Sequence, residues 1–173
     1  MKLVNNNNSE TLEVEIRNGA TFEGTLSTET PVAREYEDEI LLHEEGNIEL
    51  HTDKLPLLLN HNQDEQIGIV EGIRLVGNKL KGMIRLSDER TDLITDIQEG
   101  IRENLSIGYQ VLNSYVDDMG QKIVDKFKIF EVSLVPVPAD PNSAIGRNQN
   151  HQLSIRSFTV SYTHLTLPTT PYV

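Results

Sequence analysis

IVDKFKIFEVSLVPV, at residues 123–137, is a long β-prone stretch rich in valine, isoleucine and phenylalanine, and it predicts a strand. Three prolines between residues 136 and 141 mark the end of regular structure, because proline cannot donate to a strand ladder. Just before this stretch, residues 105–111, LSIGYQV, alternate apolar and polar side chains. A period of two is typical of a strand and places Ser106 on the face opposite the apolar side chains.

Towards the N-terminus the pattern predicts further strands and one helix. Residues 12–26 alternate loosely, and residues 55–59 form a short apolar run. Residues 67–86 predict a hairpin that turns at Gly77, and residues 87–103 predict a helix with one apolar face. Many short strands with one or two helices favour a β-rich α+β domain, and a closed barrel is one arrangement of such strands.

Composition excludes several classes of function. The chain has 173 residues, no cysteine, and a formal net charge of −12. Without cysteine, thiol catalysis, disulfide frameworks and cysteine-ligated zinc are ruled out. The acidic balance has no basic cluster to offset it, so we expect no nucleic-acid partner. The sequence lacks a signal-peptide pattern and an apolar run of the ~20 residues that a membrane span needs, so we expect a soluble cytoplasmic domain without a membrane partner.

Three reactive side chains lie where structure is well specified. His61 follows the apolar run, and imidazole is the usual general base near neutral pH. Ser106 precedes Gly108, and a serine becomes nucleophilic when a neighbouring base takes its proton. Glu131 is embedded in an apolar strand and needs a partner there, either a histidine or a lysine or arginine. Each residue also has a reading without a catalytic role. His61 would be an ordinary surface histidine, Ser106 a solvent-facing strand serine, and Glu131 part of a structural ion pair.

The segments that carry these side chains resemble a known family. They are LNHN at residues 59–62 followed by Ile67-Gly68, LSIGY at residues 105–109, and FEVSLVPVPA at residues 130–139. All three are similar to the signature blocks of the phage prohead (capsid maturation) proteases, in the same order and with similar gaps. The resemblance covers roughly residues 20–147.

Membership of this family would imply a fold similar to herpesvirus assemblin, a closed β-barrel flanked by helices. The implied activity is that of a serine endopeptidase without a cofactor or metal, which cleaves scaffold and capsid protein segments and itself. The implied partners are the phage major capsid protein and scaffold segments, together with self-association. The implied location is the assembling procapsid in the host cytoplasm.

Residue by residue, the resemblance implies that His61 is the general base, Ser106 the nucleophile and Glu131 the third catalytic residue. The backbone N–H groups of Ile107 and Gly108, just after the serine, are expected to bind the developing oxyanion.

The third catalytic position stays open to alternatives. Asp125 lies on the same β-prone stretch, and His43 and His51 are the next candidates, since a histidine serves there in the herpesvirus relatives. His151 and His164 match no block and are given no role.

The resemblance also sets domain boundaries. Residues 20–147 are expected to form the protease domain, after a flexible lead-in at residues 1–19 and before a linker at residues 148–159. Residues 160–173, VSYTHLTLPTTPYV, look like a translated sequencing adapter and are expected to be a non-native tail.

Two other classes of function remain. One is a catalytically silent scaffold or assembly domain on the same fold. The other is a metal-dependent hydrolase that uses His51, His61, Asp64 and Glu65, whose nitrogen and oxygen atoms suit a divalent ion. The sequence lacks a compact ligand motif such as H-E-x-x-H, which disfavours the metal hypothesis.

Overall fold

The computed structural model describes residues 20–146 in full and, outside them, the backbone of two strands, Asn7–Ile16 and Ser154–Thr163. The chain divides into two compact units, Met1–Asn18 with Gln152–Val173, and Gly19–His151.

The described residues contain twelve strands and one helix. In chain order they are β1 (Asn7–Ile16), β2 (Thr21–Thr28), β3 (Val32–Ala33), β4 (Asp38–Leu41), β5 (Ile48–Leu50), β6 (Leu55–Leu59), β7 (Asn62–Val76), β8 (Lys79–Leu86), α1 (Thr91–Gln98), β9 (Leu105–Val116), β10 (Lys122–Leu134), β11 (Ala144–Ile145) and β12 (Ser154–Thr163).

Strand β10 lies at the centre of the strand pairing in the larger unit, and it is the strand predicted from residues 123–137. Along one edge it pairs antiparallel with β9 over nearly its whole length. Along the other edge it pairs in parallel with β4, β5 and β6 in succession. Three short strands therefore line up end to end beside one long strand. This arrangement brings the end of β6 next to the end of β10.

The coarse prediction of a β-rich α+β domain is confirmed, but the closed barrel is wrong. The larger unit is an open mixed sheet of ten strands, ordered β11-β2-β8-β7-β6-β10-β4-β3, with β5 and β9 also paired to β10. At one end an isolated bridge joins Asn104 to Ala144 without extending into a ladder. The segment before β11 explains this, because Pro141 cannot donate to a ladder and the Ser143 N–H donates to the Asp140 carbonyl in a turn. Within the described residues α1 is the only helix, so the flanking helices are not found there either.

The core of the larger unit is formed mainly by strand residues, which Leu93, Ile94 and Ile97 of α1 join in one cluster. Alternate residues of β2, β6, β8 and β10 point inward, as the period of two requires. The fully buried side chains with the largest volumes are Phe22, Phe127, Leu26, Leu55, Leu57, Ile67, Ile84, Leu86, Leu105, Ile129, Leu134 and Val70.

The predicted hairpin is confirmed, whereas the predicted helix is shorter than expected. Strands β7 and β8 pair antiparallel around Gly77, which has a φ of 61°. Helix α1 covers only Thr91–Gln98 of the predicted residues 87–103. It ends before Gly100, whose φ of 72° suits the left-handed conformation that closes many helices. Ile101, which lies within the predicted helix but beyond the observed one, is therefore 65% exposed.

The predicted domain boundaries stay predictions. Strand β1 falls within the expected lead-in at residues 1–19, and pairs antiparallel with β12. Strand β12 spans the border between the expected linker at 148–159 and the expected tail at 160–173. The remainder of these segments lies outside the described residues. In the described part of the chain, no helix combines the length and apolar character of a membrane span.

One core residue makes stability depend on pH. His43 is 3% exposed, its Nδ1–H donates to the Leu41 carbonyl at 2.8 Å, and its Nε2 is buried without a partner. Burial lowers the pKa of His43, although the Leu41 carbonyl and nearby carboxylates partly oppose this. The unfolded chain therefore takes up a proton at a higher pH than the folded chain. The contribution of His43 to the free energy of unfolding has its full value above the ordinary histidine pKa of about 6.5, and it falls as the pH drops below that value.

We expect His43→Gln to make the free energy of unfolding depend less on pH in this range. Between pH 6.5 and pH 5, the wild type should lose up to about 1.4 kcal/mol of unfolding free energy per pH unit more than the variant. Urea unfolding at several pH values measures the difference, with His51→Gln as the control because His51 is exposed. Equal slopes for the wild type and His43→Gln would contradict the assignment.

Candidate functional site

The site begins at the turn between β6 and β7. Only Asn60 and His61 separate the two strands, because Leu59 pairs with Asn62. Both turn residues have a positive φ, 54° for Asn60 and 58° for His61. Two consecutive left-handed residues form the type I′ turn that suits a two-residue hairpin. Asparagine and histidine both occur in this conformation more often than most other residues do.

Two side chains of β10 hold His61 in place. His61 Nδ1 lies 2.5 Å from Glu131 Oε1. The backbone N–H of His61 donates to Ser133 Oγ at 3.0 Å, and the Ser133 hydroxyl donates to Glu131 Oε2 at 2.8 Å. Glu131 and Ser133 are two residues apart, so they share one face of the strand. His61, Glu131 and Ser133 therefore form a closed set of hydrogen bonds.

The contact with Glu131 also fixes the tautomer of the imidazole. An ionised carboxylate can only accept hydrogen bonds, so Nδ1 carries the proton that lies between the two side chains. In the neutral ring, Nε2 is then an unprotonated acceptor. His61 is 44% exposed and Glu131 is 14% exposed at the side chain, so the carboxylate lies behind the ring. This is the arrangement that a histidine base requires.

Strand β9 places Ser106 beside this set. Ser106 is the cross-strand partner of Ser133, and Gly108 is the partner of Glu131. Cross-strand partners share a face of the sheet, so Ser106 lies on the face that carries Glu131. A Cβ atom at position 108 would come within 2.3 Å of Glu131 Oε1. Glycine at this position thus leaves the space that the carboxylate occupies.

His61 and Ser106 line one cleft of about 500 Å³. Ile107 and Gly108 are also part of its lining. Within residues 20–146 the Ser106 hydroxyl makes no hydrogen bond to another side chain or to the backbone, and it remains available to a base or substrate. The cleft therefore combines a hydroxyl and an oriented imidazole with room for a peptide segment.

The backbone groups predicted to bind an oxyanion belong to an edge strand. In the described residues the ladder of β9 is with β10 alone. Successive N–H groups of a strand point to opposite edges, so at most one of Ile107 and Gly108 points away from β10 in a regular ladder. A register shift at Glu131 disturbs the ladder opposite Gly108. The oxyanion role of Ile107 and Gly108 stays a prediction.

The alternative candidates for the third position lie elsewhere. Both carboxylate oxygens of Asp125 accept hydrogen bonds from Asn113 Nδ2, at 2.8 and 3.0 Å. His43 is buried beside Phe127, and His51 packs against Phe130 with ring centroids 5.2 Å apart. None of these three contacts His61. His151 and His164 lie outside the described residues.

The four residues of the metal hypothesis are engaged separately. His61 contacts Glu131, whereas Glu65 pairs with Arg90 at 3.4 Å. The Asp64 backbone N–H donates to the Asn62 side chain. Among the described residues, no three or more histidine, aspartate or glutamate side chains converge with the spacing of metal ligands.

Sequence reasoning missed Ser133. Its signal was present: a hydroxyl two residues after Glu131, in a strand of otherwise apolar residues, lies on the same face as the carboxylate. Ser133 is fully buried, and a buried hydroxyl requires hydrogen-bond partners.

Known proteins resemble this chain over much of its length. A family model described as caudovirus prohead serine protease matches residues 42–155. A major capsid protein of Halomonas phage phiHAP-1 is 33% identical over 142 residues, which are 75% of this chain and 24% of that protein. Probable capsid maturation proteases of Lactococcus phages p2 and SK1 are each 31% identical over 104 residues, which are 58% of this chain and 58% of each relative.

The chain thus spans about a quarter of the Halomonas phage protein and little more than half of the Lactococcus phage proteins. No solved structure matches it significantly. The family model, by contrast, covers well over half of the chain. The chain belongs to the caudovirus prohead serine protease family.

Proposed function

We propose that the chain is a serine endopeptidase of phage capsid maturation, with Ser106 as nucleophile, His61 as general base and Glu131 as the residue that orients His61. The observation that carries the proposal is the contact between His61 Nδ1 and Glu131 Oε1, by which the carboxylate orients an imidazole that lines the same cleft as Ser106. An imidazole held through Nδ1 has Nε2 free for the hydroxyl.

In the proposed reaction, His61 Nε2 takes the proton of Ser106 as Oγ attacks the carbonyl carbon of the scissile peptide bond. The negative charge develops on the carbonyl oxygen, and a backbone N–H of Ile107 or Gly108 stabilises it. The protonated imidazole then gives its proton to the leaving amine, and water releases the acyl group by the reverse steps. Glu131 stabilises the imidazolium throughout.

The proposed substrates are scaffold and capsid protein segments and the chain itself, inside the assembling procapsid of the host cytoplasm. Relatives named capsid maturation protease and major capsid protein support capsid-related partners. The relation to herpesvirus assemblin rests on the sequence resemblance. Self-association, and the lack of nucleic-acid and membrane partners, are part of the same proposal.

Coexpression with the phage's capsid and scaffold proteins tests the proposal. We expect truncated products with defined new termini, detected by gel electrophoresis and mass spectrometry, from the wild type and not from Ser106→Ala. Intact capsid and scaffold proteins in both samples would instead favour the silent assembly domain.

Ser133 is proposed to position both of its partners. Ser133→Ala leaves the His61 N–H and one oxygen of Glu131 without hydrogen bonds, and each loss costs roughly 1–3 kcal/mol when buried. We expect kcat to fall about tenfold to a hundredfold, with KM little changed. Kinetics on a peptide taken from the mapped cleavage site measure both constants.

A comparison of kcat with thermal unfolding separates positioning from general destabilisation. Lost positioning lowers kcat in protein that is still fully folded at the assay temperature, whereas destabilisation lowers kcat only through the folded fraction. Ser114→Ala, on the exposed half of β9, is the matched control. A normal kcat for Ser133→Ala would remove Ser133 from the site.

A further inference from the structure

A polar cluster lies in the same cleft, outside the catalytic residues. Arg34 donates to Glu39 Oε1 from Nε at 3.2 Å and from Nη2 at 3.1 Å. Nη2 also donates to the Tyr109 hydroxyl at 2.8 Å, and that hydroxyl donates to Glu39 Oε1. Lys122 Nζ lies 2.9 Å from Glu39 Oε2. One buried carboxylate therefore has two cationic partners and a phenol.

This cluster carries a surplus positive charge. Burial alone would raise the pKa of Glu39, but the hydrogen bonds from Tyr109 and Lys122 and the charges of Arg34 and Lys122 outweigh it and lower the pKa. Burial and the Glu39 carboxylate raise the pKa of Tyr109 to about 12, so the phenol is neutral. Two cations and one anion leave one net positive charge.

Arg34 is the part of the cluster that a substrate can reach. Its side chain is 42% exposed, against 7% for Glu39. The hydrogen bonds of the Arg34 guanidinium within residues 20–146 come from Nε and Nη2, and Nη1 has no protein partner there. Arg34 and Ser106 line the same cleft. Tyr109 follows Ser106 by three residues on β9, which is about 10 Å along the strand, and the two side chains leave this edge strand on opposite faces. Both nevertheless line the cleft.

The guanidinium group of Arg34 is held in one orientation before substrate binds. Three hydrogen bonds, two to Glu39 and one to Tyr109, fix a side chain that would otherwise lose entropy on binding. Apolar side chains of Val32, Leu41 and Val111 line the cleft around it. Such walls suit the methylene groups of a charged side chain.

The other carboxylate of the cleft does not compete for Arg34. Asp140 Oδ2 accepts from the Thr28 N–H and hydroxyl and from the Ser143 hydroxyl, and Asp140 Oδ1 accepts from the Asn142 N–H. Four donors, two from Thr28 on β2 and two from the loop that carries Asp140, satisfy this carboxylate.

We propose that Arg34 forms a substrate subsite that binds an acidic side chain of the peptide, within roughly three residues of the cleaved bond. The free Nη1 group donates to the substrate carboxylate, and the apolar walls pack against its methylene groups. This assignment rests on the proposed protease function and adds a substrate class to it.

A library of random peptides tests the subsite. Sequencing of the cleaved products should show Asp and Glu enriched at one position near the cleaved bond. For a peptide chosen from these products, replacing that acid with its amide should lower kcat/KM by on the order of tenfold. Arg34→Gln should abolish the difference between acid and amide, and Arg34→Lys should retain part of it. Arg74→Gln is the matched control, since Arg74 also pairs with a glutamate but lies outside the cleft.

Two results would overturn the subsite: cleavage by the wild type without an acidic preference, or a preference that survives in Arg34→Gln. A wild type that cleaves nothing in the library would count against the protease function instead. In that case the same library is passed over immobilised Ser106→Ala protein. If the Ser106→Ala protein retains peptides enriched in Asp and Glu, and the Ser106→Ala/Arg34→Gln protein does not, the subsite is supported. If the retained peptides show no enrichment in Asp and Glu, the subsite is overturned.

Discussion

Ser106→Ala is expected to abolish cleavage of the capsid substrate and to leave the fold intact. Without the hydroxyl there is no nucleophile for His61 to activate, and triad knockouts lower kcat by roughly 10³–10⁶-fold. Stability should change little, because the Ser106 hydroxyl makes no hydrogen bond within the described residues. Cleavage assays and thermal unfolding of the purified variant measure the two effects.

The double variant His61→Ala/Ser106→Ala is the internal check. Base and nucleophile act as one unit, so the double loss should be close to the single losses. Losses that multiply would mean that the two residues act independently. Wild-type cleavage by Ser106→Ala would rule out the nucleophile.

Glu131→Gln is expected to have the second-largest effect, with a fall in kcat that approaches the roughly 10⁴-fold of a comparable change in another triad. The side chain of glutamine has nearly the same shape but no charge, so the imidazolium loses its stabilising partner. Its amide can also donate to Nδ1, which would leave the proton on Nε2 and remove the base. Activity should remain above that of Ser106→Ala, because serine and histidine still meet.

Asp125→Asn is the matched control for the charge. Asp125 lies on the same strand and is bonded to Asn113 rather than to His61, so its variant should retain activity. An inactive Asp125→Asn beside an active Glu131→Gln would move the orienting role to Asp125. Normal activity in both would leave His43 and His51 to be tested.

Local patterns predicted the local parts of the fold. The hairpin of β7 and β8 and the strands β6, β9 and β10 follow from apolar spacing and turn residues, and they were confirmed. The closed barrel failed because strand pairing is non-local. No pattern in the sequence indicates that three short parallel strands share one edge of β10, or that β11 is limited to two residues.

The candidate site, like the fold, could be predicted only in its local parts. His61, Ser106 and Glu131 were named from the family's blocks, and the structure brings the first and third into contact. Their meeting depends on register: Gly108 opposite Glu131 gives space to the carboxylate. This register is set by the pairing of β9 with β10, and the spacing of residues in the sequence does not predict it. The Arg34 cluster was missed for the same reason, since Tyr109 reaches it from 75 residues away.

A fluorophosphonate probe tests the central claim most directly, because it labels an activated serine without knowledge of the natural substrate. Peptide mapping of the labelled protein should place the adduct on Ser106, and His61→Ala should lose the label while it keeps the fold. An adduct on a different residue, or none on a protein that still cleaves its capsid substrate, would contradict the account.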